Sequence, residues 1–73
     1  MNPSTIMLAV SKFKMNSESV LKLVFNGREF NYDNDVLIEC YDTCLCISSR
    51  LDDGKVHNVY VEYNFIAGVE VIE

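Results

Sequence analysis

From Val20 onward the chain alternates apolar and polar positions in short bursts, each bounded by turn-forming residues. In Val20 to Phe25, Leu21, Leu23 and Phe25 face one way and Lys22 the other, the period-2 signature of a strand with one buried face. Asn26-Gly27 follows, and both residues tolerate the positive φ of a two-residue hairpin turn, so Arg28 to Tyr32 is expected to return as a second strand. Asp33, Asn34 and Asp35 interrupt it. Beyond them Val36, Ile38 and Cys40 alternate inward against Leu37, Glu39 and Tyr41. After Asp42 the inward set becomes Leu45, Ile47 and Leu51, a parity change that requires a tight turn or bulge at Asp42-Thr43.

Asp52 to Lys55 is a further turn signal. In Val56 to Tyr63, His57, Val59, Val61 and Tyr63 share a face. After a joint at Asn64-Phe65, the segment Ile66 to Glu73 places Ala67, Val69 and Val71 opposite Ile66, Gly68, Glu70 and Ile72. Residues 2–15 fit two patterns. Asn2-Pro3 is a cap and first-turn pair, with Ile6, Val10 and Phe13 on one helical stripe, whereas Ile6 to Val10 also reads as a continuous buried strand. The cap tips the reading toward helix.

Composition agrees with strands. Only two alanines and no glutamine are present, while valine, isoleucine and threonine number 16. These residues suit a pleated, half-buried surface. The expectation is a mainly β single domain over residues 1–73, with 1–17 a helix or strand and 18–73 a small five-stranded open barrel of Sm/SH3 type in meander order. A chain of 73 residues buries only about 60% of its surface on folding. Its exposed strand edges and marginal core are both relieved if copies pair edge to edge, so a homo-oligomer is expected, with Val59, Val61, Ile66 and Ile72 at the interface.

The longest apolar run, Ile6 to Val10, is five residues, against roughly 18 for a membrane span. The first charge, Lys12, lies on the wrong side of that run for a signal peptide. The three cysteines cannot all pair within one chain, so a reducing, cytoplasmic setting is expected.

Charge is unevenly placed. Residues 1–28 carry a net +3 and residues 29–73 a net -8, for -5 in all. The acidic majority repels phosphate, which disfavours long nucleic acid as a partner. It suits solubility, or else a basic protein partner of the kind met by short acidic inhibitors.

The order Asp42, Thr43, Cys44, Leu45, Cys46, followed downstream by Ile66-Ala67-Gly68-Val69, resembles the two motifs of the Sm-like small barrels, the family of Sm, Lsm and Hfq proteins, and Val20 to Phe30 resembles that family's first hairpin. The resemblance implies a small barrel and a ring-like oligomer. It undermines uridine binding, because Cys46 stands where the family has a base-contacting Asn and Ala67 where it has a stacking Arg, so an Sm-like RNA-binding ring ranks third among the readings of function.

Catalytic constellations are absent from the pattern. Cys40, Cys44, Cys46 and the single histidine, His57, contain the elements of a zinc site, but zinc wants two close ligand pairs on turns, and the cysteines read better as small packed side chains. Asp33, Asp35, Asp52 and Asp53 fall in turns, where they are turn formers before they are acid–base dyads. No metal, cofactor or catalytic residue is therefore expected. The remaining chemistry is a binding one: Tyr41, Tyr60 and Tyr63 offer rings with polar tips, and Arg28 and Arg50 are placed near turns to reach a phosphate. Together they suit a small anionic ligand, such as a nucleotide, held between subunits.

Overall fold

The computed structural model describes residues 1–73. Helix α1 spans Pro3–Met15, followed by strands β1 (Val20–Phe25), β2 (Arg28–Tyr32), β3 (Leu37–Cys40), β4 (Cys44–Arg50) and β5 (Val56–Glu62), a 3-10 turn at Tyr63–Phe65, and β6 (Ile66–Ile72). The ambiguous N-terminal segment is helical because its start is capped: Asn2 Oδ1 accepts the Ser4 N–H at 2.8 Å, and Pro3 occupies the first turn, where no N–H is needed. At the other end, Lys12 and Lys14 lie in the last turn, where the helix dipole favours cations. The Ser19 hydroxyl lies 2.7 Å from the Asn16 carbonyl oxygen and 3.1 Å from that of Phe13. Asn34 Nδ2 donates to the Asn16 carbonyl at 3.0 Å. These bonds satisfy carbonyls that a helix end otherwise leaves without partners. No helix is long and apolar enough to cross a membrane.

The strands form two three-stranded antiparallel sheets, β2-β1-β6 and β3-β4-β5. The strands number six, and their order departs from a five-stranded meander on two points. First, Asp33 to Val36 divides what would be one long strand: Asp33 Oδ1 accepts the Asp35 N–H at 3.0 Å and the Asp33 carbonyl accepts the Val36 N–H at 3.3 Å, a side-chain-supported turn that sends β2 and β3 into different sheets. Secondly, β1 pairs with β6, the last strand, and no ladder joins the two sheets into a closed barrel.

The turns obey their residues. Asn26 (φ 55°) and Gly27 (φ 70°) are both left-handed, as the hairpin between β1 and β2 requires. At Asp42-Thr43 the inferred parity change is a two-residue turn, with the Tyr41 N–H donating to the Cys44 carbonyl at 2.8 Å. A single core lies between the sheets and under the helix. Ile6, Val10 and Phe13 from α1 meet Leu21, Leu23, Phe25, Ile38, Leu45, Ile47, Val61, Tyr63 and Ile66. The inward parities of β1, β3 and β4 read from the sequence hold, except that Leu51 lies past the end of β4 and is exposed. In β6 a register shift at Val24/Phe25 skips Ala67, so Ile66 and Val69 both turn toward the core.

Candidate functional site

Strands β3, β4 and β5 have one face in the core and one in solvent. Register fixes the neighbours on the outer face. Glu39, Cys46 and Tyr60 form one row across the three strands, and Leu37, Ser48 and Asn58 form the next. Ser48 Oγ donates to Asn58 Oδ1 at 2.6 Å. Toward the β3–β4 turn, the Tyr41 hydroxyl donates weakly to Glu39 Oε2 at 3.4 Å. Cys46 is 5% exposed, although it belongs to the outward face. The electrostatics report the same proximity. The Glu39 carboxylate is the main influence pushing the Tyr41 phenol above its ordinary range, and the Cys46 thiol, first by hydrogen bonding, raises that of Tyr60.

At the end of this face two chain segments far apart in sequence are fastened together by Tyr63. Its side chain is buried, its hydroxyl donates to the Tyr41 carbonyl at 2.5 Å, and its N–H donates to the Thr43 carbonyl at 3.0 Å. The N-terminal ammonium of Met1 donates to the Tyr63 carbonyl at 3.1 Å. Burial, followed by the nearby Cys40, Cys44 and Asp42, pushes the Tyr63 phenol up to about 12. The Asp42-to-Cys46 segment therefore lies beside the 3-10 turn that leads into Ile66-Ala67-Gly68-Val69.

The residues expected to bind a ligand are not brought together within one chain. Tyr63 is 2% exposed and serves as this internal tie. Tyr41 and Tyr60 are exposed on the outer face. Arg28 follows the Asn26-Gly27 turn in the other sheet. Arg50 lines a shallow concavity of about 410 Å³ with Asp35, Leu37, Ser48, Ser49 and Val56. Tyr60 borders a different one, about 190 Å³, with Phe25, Asn26, Val59, Val61, Glu62 and Phe65. No concavity of the single chain combines a tyrosine with an arginine. Of the expected interface residues, Val59 and Ile72 are exposed, while Val61 and Ile66 are buried in the core.

The cysteines are free thiols, with Cys40 and Cys44 half-buried and Cys46 buried. No three His, Cys, Asp or Glu side chains converge on a point that would hold a metal ion. Sequence reading overlooked the Glu39–Cys46–Tyr60 row. The alternation of each strand was visible, but which strands lie side by side, and in what register, was not. Comparison with protein-family models, with curated proteins and with solved structures found no match to this chain.

Proposed function

We propose that the protein is a non-catalytic, self-associating β-barrel of the Sm-like kind that holds a small anionic ligand, such as a nucleotide, between copies. The observation that carries this reading is two of the four unpartnered strand edges, those of β5 and β6. Both β5 and β6 are terminal in their sheets, and an unpaired row of N–H and C=O groups is a template for pairing with another chain. Apolar side chains flank both edges, Val59 and Phe65 beside β5 and Leu8 and Ile72 beside β6, all exposed. Because the two edges differ, β5 of one copy joining β6 of the next is a head-to-tail contact, which closes into a ring if the rotation permits. The helix, the two small sheets and the β1–β6 pairing support the barrel reading. Counting β2 and β3 as one strand bent at residues 33–36 restores the expected five.

The ligand part of the proposal follows from the separation of the rings and cations. Tyr60 and Tyr41 present aromatic surface to solvent, so the arginine that completes a phosphate site beside them comes from a neighbouring copy. The rival reading, an acidic inhibitor of a basic protein, relies on Asp33, Asp35, Asp52 and Asp53. Two of these carboxylates have structural work instead: Asp33 and Asp53 accept the N–H groups of Asp35 and Lys55.

Native mass spectrometry of the purified protein tests both parts. The expected result is a multiple of the 8.3 kDa chain with extra mass from a carried anion, reduced to monomer by Val59→Lys with circular dichroism unchanged. A strictly monomeric protein overturns the association. An oligomer indifferent to added nucleotides overturns the ligand and leaves the association standing.

A further inference from the structure

Strand β4 carries two thiols on one face. Leu45 and Ile47 point into the core, so Cys44 and Cys46 both lie on the outer face of the β3-β4-β5 sheet. Register frames them. Cys46 stands between Glu39 of β3 and Tyr60 of β5. Cys44 stands opposite Glu62 of β5, and on its other side the Tyr41 N–H donates to its carbonyl at 2.8 Å. Each thiol therefore has a carboxylate on one flank and a tyrosine on the other. Cys46 is buried and lies 3.6 Å from the Ser48 hydroxyl, while Cys44 is half-buried. The phenol of Tyr60 senses both sulfurs, Cys46 first through hydrogen bonding and Cys44 after it, so both lie near one hydroxyl.

Spacing and company decide what the pair can hold. Two residues along a strand separate Cα atoms by about 6.7 Å, the upper end of what a disulfide spans. A metal ion reaches further, since two bonds of about 2.3 Å set sulfurs up to about 4.6 Å apart. Zinc and iron–sulfur clusters complete four ligands, and here the other candidates turn away. Cys40 packs against the core, His57 lies on the opposite face of β5, paired with Ser49, and no three such side chains meet. Of the ions that soft thiolates select, copper(I) is left, because two thiolates suffice for it.

The surrounding charge favours a cation. Glu39 and Glu62 flank the thiols, and Asp42 lies in the turn beyond. The groups that shift the Tyr41, Tyr60 and Tyr63 phenols are carboxylates, thiols and a phenol together with burial, with no base among them. Arg50 shares the outer face of β4 but is about 13 Å along the strand from Cys46. The Met1 ammonium is engaged by the Tyr63 carbonyl at 3.1 Å.

We propose that Cys44 and Cys46 together hold one copper(I) ion as a two-coordinate site beside the Tyr60 hydroxyl. Each thiol gives its proton to solvent as its sulfur–copper bond forms, and the ion keeps its oxidation state. The carboxylates draw the cation in, and the Tyr60 hydroxyl, donating to sulfur, steadies the thiolate. The site is complete within one chain, so it stands apart from edge pairing and from an anionic ligand between copies.

The test is anaerobic titration of the reduced full chain with copper(I) in competition with a chromophoric copper(I) chelator. One ion per chain is expected, with ultraviolet thiolate-to-copper absorption. Cys44→Ser and Cys46→Ser are each expected to weaken retention by more than about tenfold, Tyr60→Phe by about tenfold, and Cys40→Ser to leave it unchanged. Circular dichroism checks that each variant folds, and the half-buried Cys44→Ser carries the test if the buried Cys46→Ser does not. Full retention in Cys44→Ser, or one ion per two chains by native mass spectrometry, overturns the site. A chain that keeps its copper in Tyr60→Phe, or loses it equally in Cys40→Ser, holds the ion by flexible thiols only, which also overturns it.

Discussion

The phenol of Tyr63 donates to the backbone carbonyl of Tyr41, 22 residues earlier in the chain, and so ties the turn between β3 and β4 to the turn that leads into β6. Tyr63→Phe keeps the ring in the core and leaves that carbonyl without its partner. The expected loss is about 1–2 kcal/mol, measured as a lower urea midpoint with unchanged slope.

The same hydroxyl gives stability a dependence on alkaline pH. Its pKa is raised from 10.0 to about 12 in the fold, so between these values the unfolded chain gives up the proton that the folded chain keeps. The contribution is fully present below pH 10 and is lost as pH rises through about 12. Denaturant midpoints measured across this range are expected to fall, and to fall less steeply in Tyr63→Phe. A residual slope remains, because Tyr32, Tyr41 and Tyr60 are also raised.

Ser19 is a buried polar residue whose hydroxyl serves the end of α1. Ser19→Ala is expected to cost about 1–2 kcal/mol by leaving a helix carbonyl unsatisfied. Hydrogen exchange should show the added opening first in the last turn of α1.

The glycines separate cleanly. A Cβ at Gly68 meets Val24 at 3.6 Å, ordinary contact, so Gly68→Ala is expected to be neutral or to stabilise by up to about 1 kcal/mol through the unfolded chain. Gly27, at φ +70°, has open space but the wrong backbone for a side chain. Gly27→Ala is expected to destabilise by about 1 kcal/mol, and thermal melts of the two variants check the contrast.

Cys46 is buried on an otherwise solvent-facing strand surface, between Glu39 and Tyr60. Removing the neighbouring ring by Tyr60→Ala is expected to speed alkylation of Cys46 by tenfold or more relative to the half-buried Cys40 and Cys44. Mass spectrometry of the labelled peptides reads this directly.

How far the chain can be read without its structure differs between local and distant relations. Turns at Asn26-Gly27 and Asp42-Thr43 are written in residue types, because positive φ and short polar side chains are local properties. The facing of Leu21, Leu23, Phe25, Ile38, Leu45 and Ile47 is likewise legible, since alternation is a property of the strand itself. Less was legible at the candidate site. Tyr63 is indistinguishable in sequence from Tyr41 and Tyr60 as a strand aromatic, yet it is the buried member, and Val61 and Ile66 look as available for an interface as Val59 and Ile72.

By itself, the sequence determined a mainly β domain, its turns, the inward faces of its early strands and the acidic imbalance after Arg28, because each depends on residues close together in the chain. Tertiary structure decided the rest. The pairing of β1 with β6, the split between β2 and β3, the row of Glu39, Cys46 and Tyr60, and the separation of Arg28 and Arg50 from the exposed tyrosines all depend on which strands lie side by side. Strand alternation repeats every two residues and fits many partners, so only packing around a shared core selects among them.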